Sequence, residues 1–354
     1  MAESKIVHVV GTGTVGEPLI GLLADNREAF GLDEVTFHKR TPLLAERGKV
    51  EDLVRRGAIL AVDEERRVEF QSLGHNPKYE KWEALERASV VIDCTPAGNQ
   101  NKAELYESVA GPRGFLAQGS EFGFGKMYAR GINDAALDAE EDRYLHIVSC
   151  NTHNISAMIK SLAFDSDGTS HLENGEFLCI RRANDISQDR GFVASPTVDS
   201  HKDGRFGTHH ARDAHHLFAT LGHDLPVYSS AIKLNTQYMH TTHFSVTLDR
   251  EIEVGEVVDR FYTNPWVAVT HKRSANQVFS FGRDHGYYGR LLSHAVVALS
   301  SLSVRNGNQV VGFAFTPQDG NPLLSTVAAM LWYLYPGEIE QRINVLRRYL
   351  FREV

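Results

Sequence analysis

The stretch VHVVGTGTVGEPL, residues 7–19, constrains the fold of this chain most. A β-rich run ends in Gly11, Gly13 and Gly16 at G-x-G-x-x-G spacing, and a helical pattern of apolar residues follows. In a strand–turn–helix of this kind the first glycine permits the tight turn. The second lets the backbone approach a pyrophosphate, and the third lets helix and strand pack closely. The helix N-terminus then meets the phosphates with its amides and its dipole. A glycine turn without a ligand is the alternative. The strand before it and the helix after it favour a dinucleotide site.

The same grammar continues downstream. EVTFHKR (34–40) reads as a second strand, and residues 42–57 as a helix with proline at its start and glycine at its end. ASVVIDCTP (88–96) is a continuous apolar strand, residues 99–110 a helix and GFLAQGS (114–120) a further strand. Strands alternating with helices imply a parallel sheet covered on both faces. After residue 150 the pattern changes. Strand signals at 176–183, 225–234, 243–249, 266–273, 294–304 and 309–315 are separated by few long helices, and 184–207 reads as a long polar loop. The expected fold is α/β: a Rossmann-type dinucleotide-binding domain over 1–150, then an α+β catalytic domain with a mostly antiparallel or mixed sheet over 151–320. Residues 321–354 read as C-terminal helices, broken near Pro336 and Gly337, that pack back on the first domain.

Composition narrows the function classes. A net charge of −8 without a basic cluster argues against nucleic acid as a partner. The apolar run near the start is too short for a signal peptide, and no stretch approaches a membrane span. Three cysteines, at 94, 150 and 179, make no disulfide framework and fit a reducing cytoplasm.

Two places carry candidate chemistry. At the end of the second strand, where an NAD site usually has an acid for the ribose hydroxyls, stand Lys39 and Arg40. They suit a 2'-phosphate, so NADP is favoured over NAD. The alternative is a solvated basic strand end. In VSCNTHN (148–154), Cys150 ends an apolar run and opens a helical segment. A helix N-terminus lowers a thiol's pKa, and a thiolate attacks carbonyls. A buried structural cysteine is the equal alternative. A base is not unique among 17 histidines: His240 and His243 precede a strand, and His209, His210, His215 and His216 cluster near Asp213. Their irregular spacing, with no cysteine pair beside them, argues against a metal site, and none is expected. Phosphate or substrate binding by His209, His210 and Arg212 fits better.

Taken in order, the motifs resemble those of the archaeal-type (type II) glyceraldehyde-3-phosphate dehydrogenases. The resemblance rests on GTGTVG (11–16), HKRTPLLAERG (38–48), IDCTPAG (92–98), LAQGSE (116–121), VSCNTHN (148–154), RRAND (181–185), THHARD (208–213) and QYMHTTH (237–243). It covers most of residues 5–245, while the C-terminal third matches poorly. It implies a phosphorylating, thioester-forming aldehyde dehydrogenase with Cys150 as nucleophile and His240 as its base. Ser149, Asn151, Thr152, His209 and His210 would bind substrate. Gly11, Gly13, Thr14, Val15, Gly16, Lys39, Arg40, Thr95, Pro96, Gly119, Ser120, Arg182 and Gln318 would hold NADP or NAD. Inorganic phosphate would be co-substrate and the assembly a homotetramer. This chain departs from the family at His153 and Asn154, and again at Ala211 and Arg212, which leaves the aldehyde open. Another thioester-forming aldehyde or semialdehyde dehydrogenase, or a non-catalytic nucleotide-binding protein, are the other readings.

Overall fold

In a computed structural model that describes residues 4–186, 188, 191–317 and 319–354, the run after the N-terminus forms the strand Ile6–Val10. Its neighbours are as apolar as it is. Glu34–His38, Val90–Asp93 and Gly114–Gln118 are buried along nearly their whole length, as strands covered on both faces must be. Seven strands run parallel, in the spatial order Tyr79–Glu80, Ile59–Val62, Glu34–His38, Ile6–Val10, Val90–Asp93, Gly114–Gln118 and Tyr144–Ile147. The chain moves outward from Ile6–Val10 in one direction and returns to its other side with Val90–Asp93. That reversal opens a crevice at the carboxyl ends of the two strands, which is where ligands of such sheets bind. The sheet is doubly wound, of Rossmann type. The helices Gly16–Asp25, Arg47–Arg55 and Gly98–Glu104 follow their strands as the sequence pattern requires.

The second sheet is mixed. Its order is Thr197–Val198, Val227–Lys233, Leu172–Arg181, His240–Leu248, Gln309–Thr316, Ala295–Ala298 and Val267–Thr270, with Ser303–Arg305 also on Gln309–Thr316. His240–Leu248 runs antiparallel to both neighbours, whereas Val227–Lys233 is parallel to Leu172–Arg181. Along His240–Leu248 burial alternates strictly, so His240, Thr242, Phe244, Val246 and Leu248 share the core face. The same core takes in the helix Cys150–Ala163, which is buried nearly all round, and the helix His209–Ala219.

The polypeptide divides into two compact units, each made of three chain segments. One comprises 1–126, 138–147 and 326–345; the other 127–137, 148–325 and 346–354. Such interleaving has no signature in a strand–helix alternation, which led to contiguous domains. The short strands Ile59–Val62 and Tyr79–Glu80 are not legible as strands, whereas Tyr144–Ile147 lies in the strand-like run that ends at Cys150. The helices Val254–Thr263 and Ala275–His285, which break up a region that reads as strand-rich, are not legible either. The run 294–304 is two strands, separated by a 3-10 turn at Leu299–Ser301. No helix among the described residues is long and apolar enough to cross a membrane.

One buried group fixes the turn after Val90–Asp93. Asp93 accepts from the Thr95 N–H at 2.7 Å and hydroxyl at 2.6 Å, from Asn101 Nδ2 at 2.7 Å and from the Tyr106 hydroxyl at 2.7 Å. Hydrogen bonds to a charged group contribute about 1.5–3 kcal/mol each. Tyr106→Phe keeps the ring packing and removes one donor, so chemical denaturation should show a loss of about that size. An unchanged midpoint would mean that this network does not hold the turn.

Candidate active site

The glycine turn is shaped for close approach. Gly11 has φ +93°, a left-handed conformation, and its N–H donates to the His38 carbonyl at 3.1 Å. A Cβ on Gly16 would stand 2.1 Å from the Gly11 carbonyl oxygen, so the following helix packs here only with glycine. Around Gly13 a Cβ would meet nothing within 4 Å. A cleft of about 970 Å³ opens beside the turn, lined among others by Gly11, Thr12, Lys39, Arg40, Thr95 and Pro96. Strand end, open glycine turn and helix start together fit a dinucleotide pyrophosphate. Thr14 and Val15, in the turn, and Gly119 and Ser120, after the strand Gly114–Gln118, lie outside the walls of this cleft.

The two basic residues differ. Arg40 is exposed. Lys39 is buried and ion-paired to Glu46, a partner that the sequence pattern does not reveal.

In the other unit, Ser149 caps the helix Cys150–Ala163: its Oγ accepts from the Thr152 N–H and pairs with the Thr152 hydroxyl at 2.9 Å. Cys150 is thereby the first helical residue. Its Sγ lies 3.9 Å from His240 Nδ1. Strand parity makes that choice, because His240 faces the core with Phe244, while His243 faces the other way and stacks on Phe313. The same Nδ1 is 3.1 Å from Asn151 Oδ1, and Asn151 Nδ2 is 3.5 Å from His210 Nε2. Asn151 therefore bridges two histidines. An amide oxygen only accepts, so with Oδ1 toward His240 the ring carries its proton on Nδ1. With the amide reversed, Nδ1 is bare and His210 must carry a proton on Nε2. The two histidine tautomers are linked through one side chain.

The electrostatics are those of a neutral resting pair. Burial pushes the Cys150 thiol up to about 12; Asp319 adds to the rise and Arg182 opposes it. Burial, with Arg182 and Arg181 nearby, holds the His240 imidazole well below its usual value. Asp319 is itself buried, 4.0 Å from Arg182, and burial lifts its carboxyl to about 6. Arg182 thus stands among the charges around Cys150, ion-paired to Asp185 at 3.1 Å. Gln318 lies outside the described residues.

His209 and His210 open the helix His209–Ala219 with their rings 3.9 Å apart. Burial, with Arg181 and Arg212 near, lowers His209 to about 4, and His210 is driven well below the usual value by burial first. His209 lines an opening of about 420 Å³ together with Lys202, Thr208 and Arg212. His210 points inward to Asn151.

Several residues assigned to substrate face inward. Asn151 and Thr152 are buried, serving the bridge and the cap. The departures His153 and Asn154 are fully buried too. His153 bonds the Ser149 carbonyl at 3.0 Å and the Ser325 hydroxyl at 2.8 Å, and Asn154 donates to Thr316 at 2.9 Å. They support the start of the helix that carries Cys150 and line neither of the two openings. Asn321, which sequence reasoning missed, donates to the Cys150 carbonyl at 3.0 Å. Only tertiary pairing brings it there. Among the described residues no group of histidine, cysteine and carboxylate side chains could hold a metal ion.

A doubly wound parallel sheet with a glycine cradle in one unit, and a helix-start cysteine next to a histidine in the other, fit an oxidoreductase that uses a nicotinamide dinucleotide. No family model matches the chain. Curated relatives do. Glyceraldehyde-3-phosphate dehydrogenase of Metallosphaera sedula is 27% identical over 263 residues, 72% of each chain. That of Methanopyrus kandleri is 27% identical over 327 residues, 87% of this chain and 85% of the relative. That of Pyrobaculum islandicum is 22% identical over 316 residues, 86% and 85%. These similarities, all under 30% identity, are to archaeal glyceraldehyde-3-phosphate dehydrogenases, the family that the sequence motifs resemble.

Two outcomes follow from this geometry. Gly16→Ala should abolish dinucleotide binding or unfold the first unit, as a titration and a thermal melt would read; a variant that binds normally would contradict the close packing of the turn. The pH dependence of Cys150 alkylation follows from the raised thiol. Thiolate is a minor species below about 12 and grows tenfold per pH unit, so the logarithm of the iodoacetamide rate should climb with unit slope from pH 7 to pH 10. A plateau near pH 7 would show a thiol ionised at rest.

Proposed function

We propose that this protein is a phosphorylating, nicotinamide-dinucleotide-dependent aldehyde dehydrogenase of the glyceraldehyde-3-phosphate type. The observation that carries the reading is the 3.9 Å approach of Cys150 Sγ to His240 Nδ1 at the start of a capped, buried helix. Both partners are neutral at pH 7, so the pair needs no standing charge. When the sulfur adds to the aldehyde carbon, its proton passes to His240 with Nδ1 bare, and on to the new oxygen to give a hemithioacetal. A bound nicotinamide supplies the hydride acceptor. As hydride leaves the carbon, His240 takes the hydroxyl proton and a thioester forms on Cys150. A phosphate oxygen then attacks the thioester carbonyl, the carbon–sulfur bond breaks, and the acyl phosphate departs. Covalent catalysis of this kind splits one hard step into two.

The opening lined by Lys202, His209 and Arg212, with Asp199 and Asp203 also on its wall, supports a phosphorylated substrate through its cations and hydroxyls. His209 contributes there as a neutral hydrogen-bonding group, and the arginine and lysine supply the charge. Lys39 and Arg40 at the strand end support NADP over NAD. A cytoplasmic home and a homotetramer are carried by the resemblance alone.

With glyceraldehyde 3-phosphate and NADP, cofactor reduction should be strong with inorganic phosphate and weak without it. Turnover that ignores phosphate would favour a hydrolytic thioester enzyme. Cys150→Ser should abolish reduction while cofactor binding persists. His240→Asn should slow the chemical step by roughly 10²–10⁴-fold, the usual contribution of general acid–base catalysis. A mild His240→Asn variant would remove His240 as the base.

A further inference from the structure

We propose that Glu46 restrains the cofactor selectivity of the glycine-turn cleft. Its carboxylate occupies the cations that a 2'-phosphate would otherwise recruit, and removing its charge makes the cleft far more selective for NADP. The inference rests on the dinucleotide reading above.

Lys39 directly follows the strand Glu34–His38 and lines the cleft, where the adenosine ribose of a dinucleotide lies in a doubly wound sheet. Its ammonium is buried and committed to Glu46. Glu46 also accepts from Lys49 Nζ at 2.9 Å. Lys49 in turn lies 3.3 Å from Glu17 and donates to the carbonyl of Thr12, inside the glycine turn, at 3.2 Å. One carboxylate thus takes up two lysines that border the turn. Burial alone would push the Glu46 carboxyl up, but hydrogen bonds from Lys39 and Lys49 outweigh it and hold it below its usual range. Glu46 is therefore ionised wherever the enzyme works.

Glu46 stands behind Lys39, outside the cleft wall, whose own carboxylates are Asp63, Glu65, Glu69 and Glu104. Asp63 pairs with His38 at 3.3 Å and Lys81 at 3.1 Å, and Glu69 with Arg66 at 2.7 Å. Glu46 is the carboxylate held by Lys39. A 2'-phosphate brings about −1.5 to −2 charges at neutral pH. To use Lys39 it must compete with Glu46 and accept repulsion from it. The 2'-hydroxyl of NAD meets no such cost, because it carries no charge. Exposed Arg40 keeps an attraction for the phosphate, so NADP still binds; Glu46 sets how much more tightly than NAD.

The test is a calorimetric titration of NAD and of NADP into wild type and three variants, with thermal melts to confirm folding. Glu46→Gln should tighten NADP about tenfold, equal to about 1.4 kcal/mol, and leave NAD within roughly twofold. Adding Lys39→Met to Glu46→Gln should cancel that gain. If Glu46→Gln does not fold, Lys49→Met is the substitute. It leaves Glu46 wholly to Lys39, so NADP should weaken by about threefold relative to NAD, whatever loss the two share through the Thr12 contact, a shift in the ratio of under 1 kcal/mol. An unchanged NAD-to-NADP affinity ratio across these variants overturns the role of Glu46 alone. A wild type that binds neither dinucleotide overturns the cofactor reading and this proposal with it.

Discussion

The amide of Asn151 holds the centre of the second unit together. It joins His240 at 3.1 Å to His210 at 3.5 Å, one residue after the cysteine that His240 faces. Because an amide has one accepting and one donating end, the two rings cannot choose tautomers independently. Everything around this bridge keeps it in place. Ser149 caps the helix that carries Asn151, Thr316 lies 3.5 Å from its oxygen, and Asn154 anchors Thr316 in turn. A neutral thiol and a neutral imidazole meet in a buried site, and which ring nitrogen of that imidazole carries the proton depends on the orientation of a single side chain.

That arrangement explains how a cysteine at a helix start can be kept protonated. The helix dipole and Arg182 favour the thiolate; burial and Asp319 oppose it, and the opposing terms prevail. A resting thiolate would be open to any electrophile. Under the proposed reaction, a thiol released to its base only as the carbonyl arrives would confine reactivity to the bound aldehyde.

Much of this was legible in sequence, and the reasons differ by element. The glycine turn and the apolar strands at 88–96 and 114–120 announce themselves, because both faces of a parallel strand are buried and the turn demands glycine. The resemblance points to His240 over His243, and strand parity puts His240, not His243, on the face toward Cys150. Ion pairs and interior polar networks were not legible. Lys39 reads as a free cation, yet Glu46, seven residues on, takes it. His153 and Asn154 read as changes at a substrate pocket, yet helical geometry turns both into the core. Nor does local patterning show the interleaving of the two units, since segments such as 127–137 and 326–345 join their unit through tertiary packing alone.

The central claim is a covalent acyl intermediate on one particular sulfur. Enzyme mixed with glyceraldehyde 3-phosphate and NADP in phosphate-free buffer, quenched in acid and digested, should show by mass spectrometry a phosphoglyceroyl thioester on the peptide carrying Cys150. Adding inorganic phosphate before the quench should remove it. An adduct on Cys94 or Cys179 instead, or cofactor reduction with no adduct on Cys150 at any time, would contradict the account.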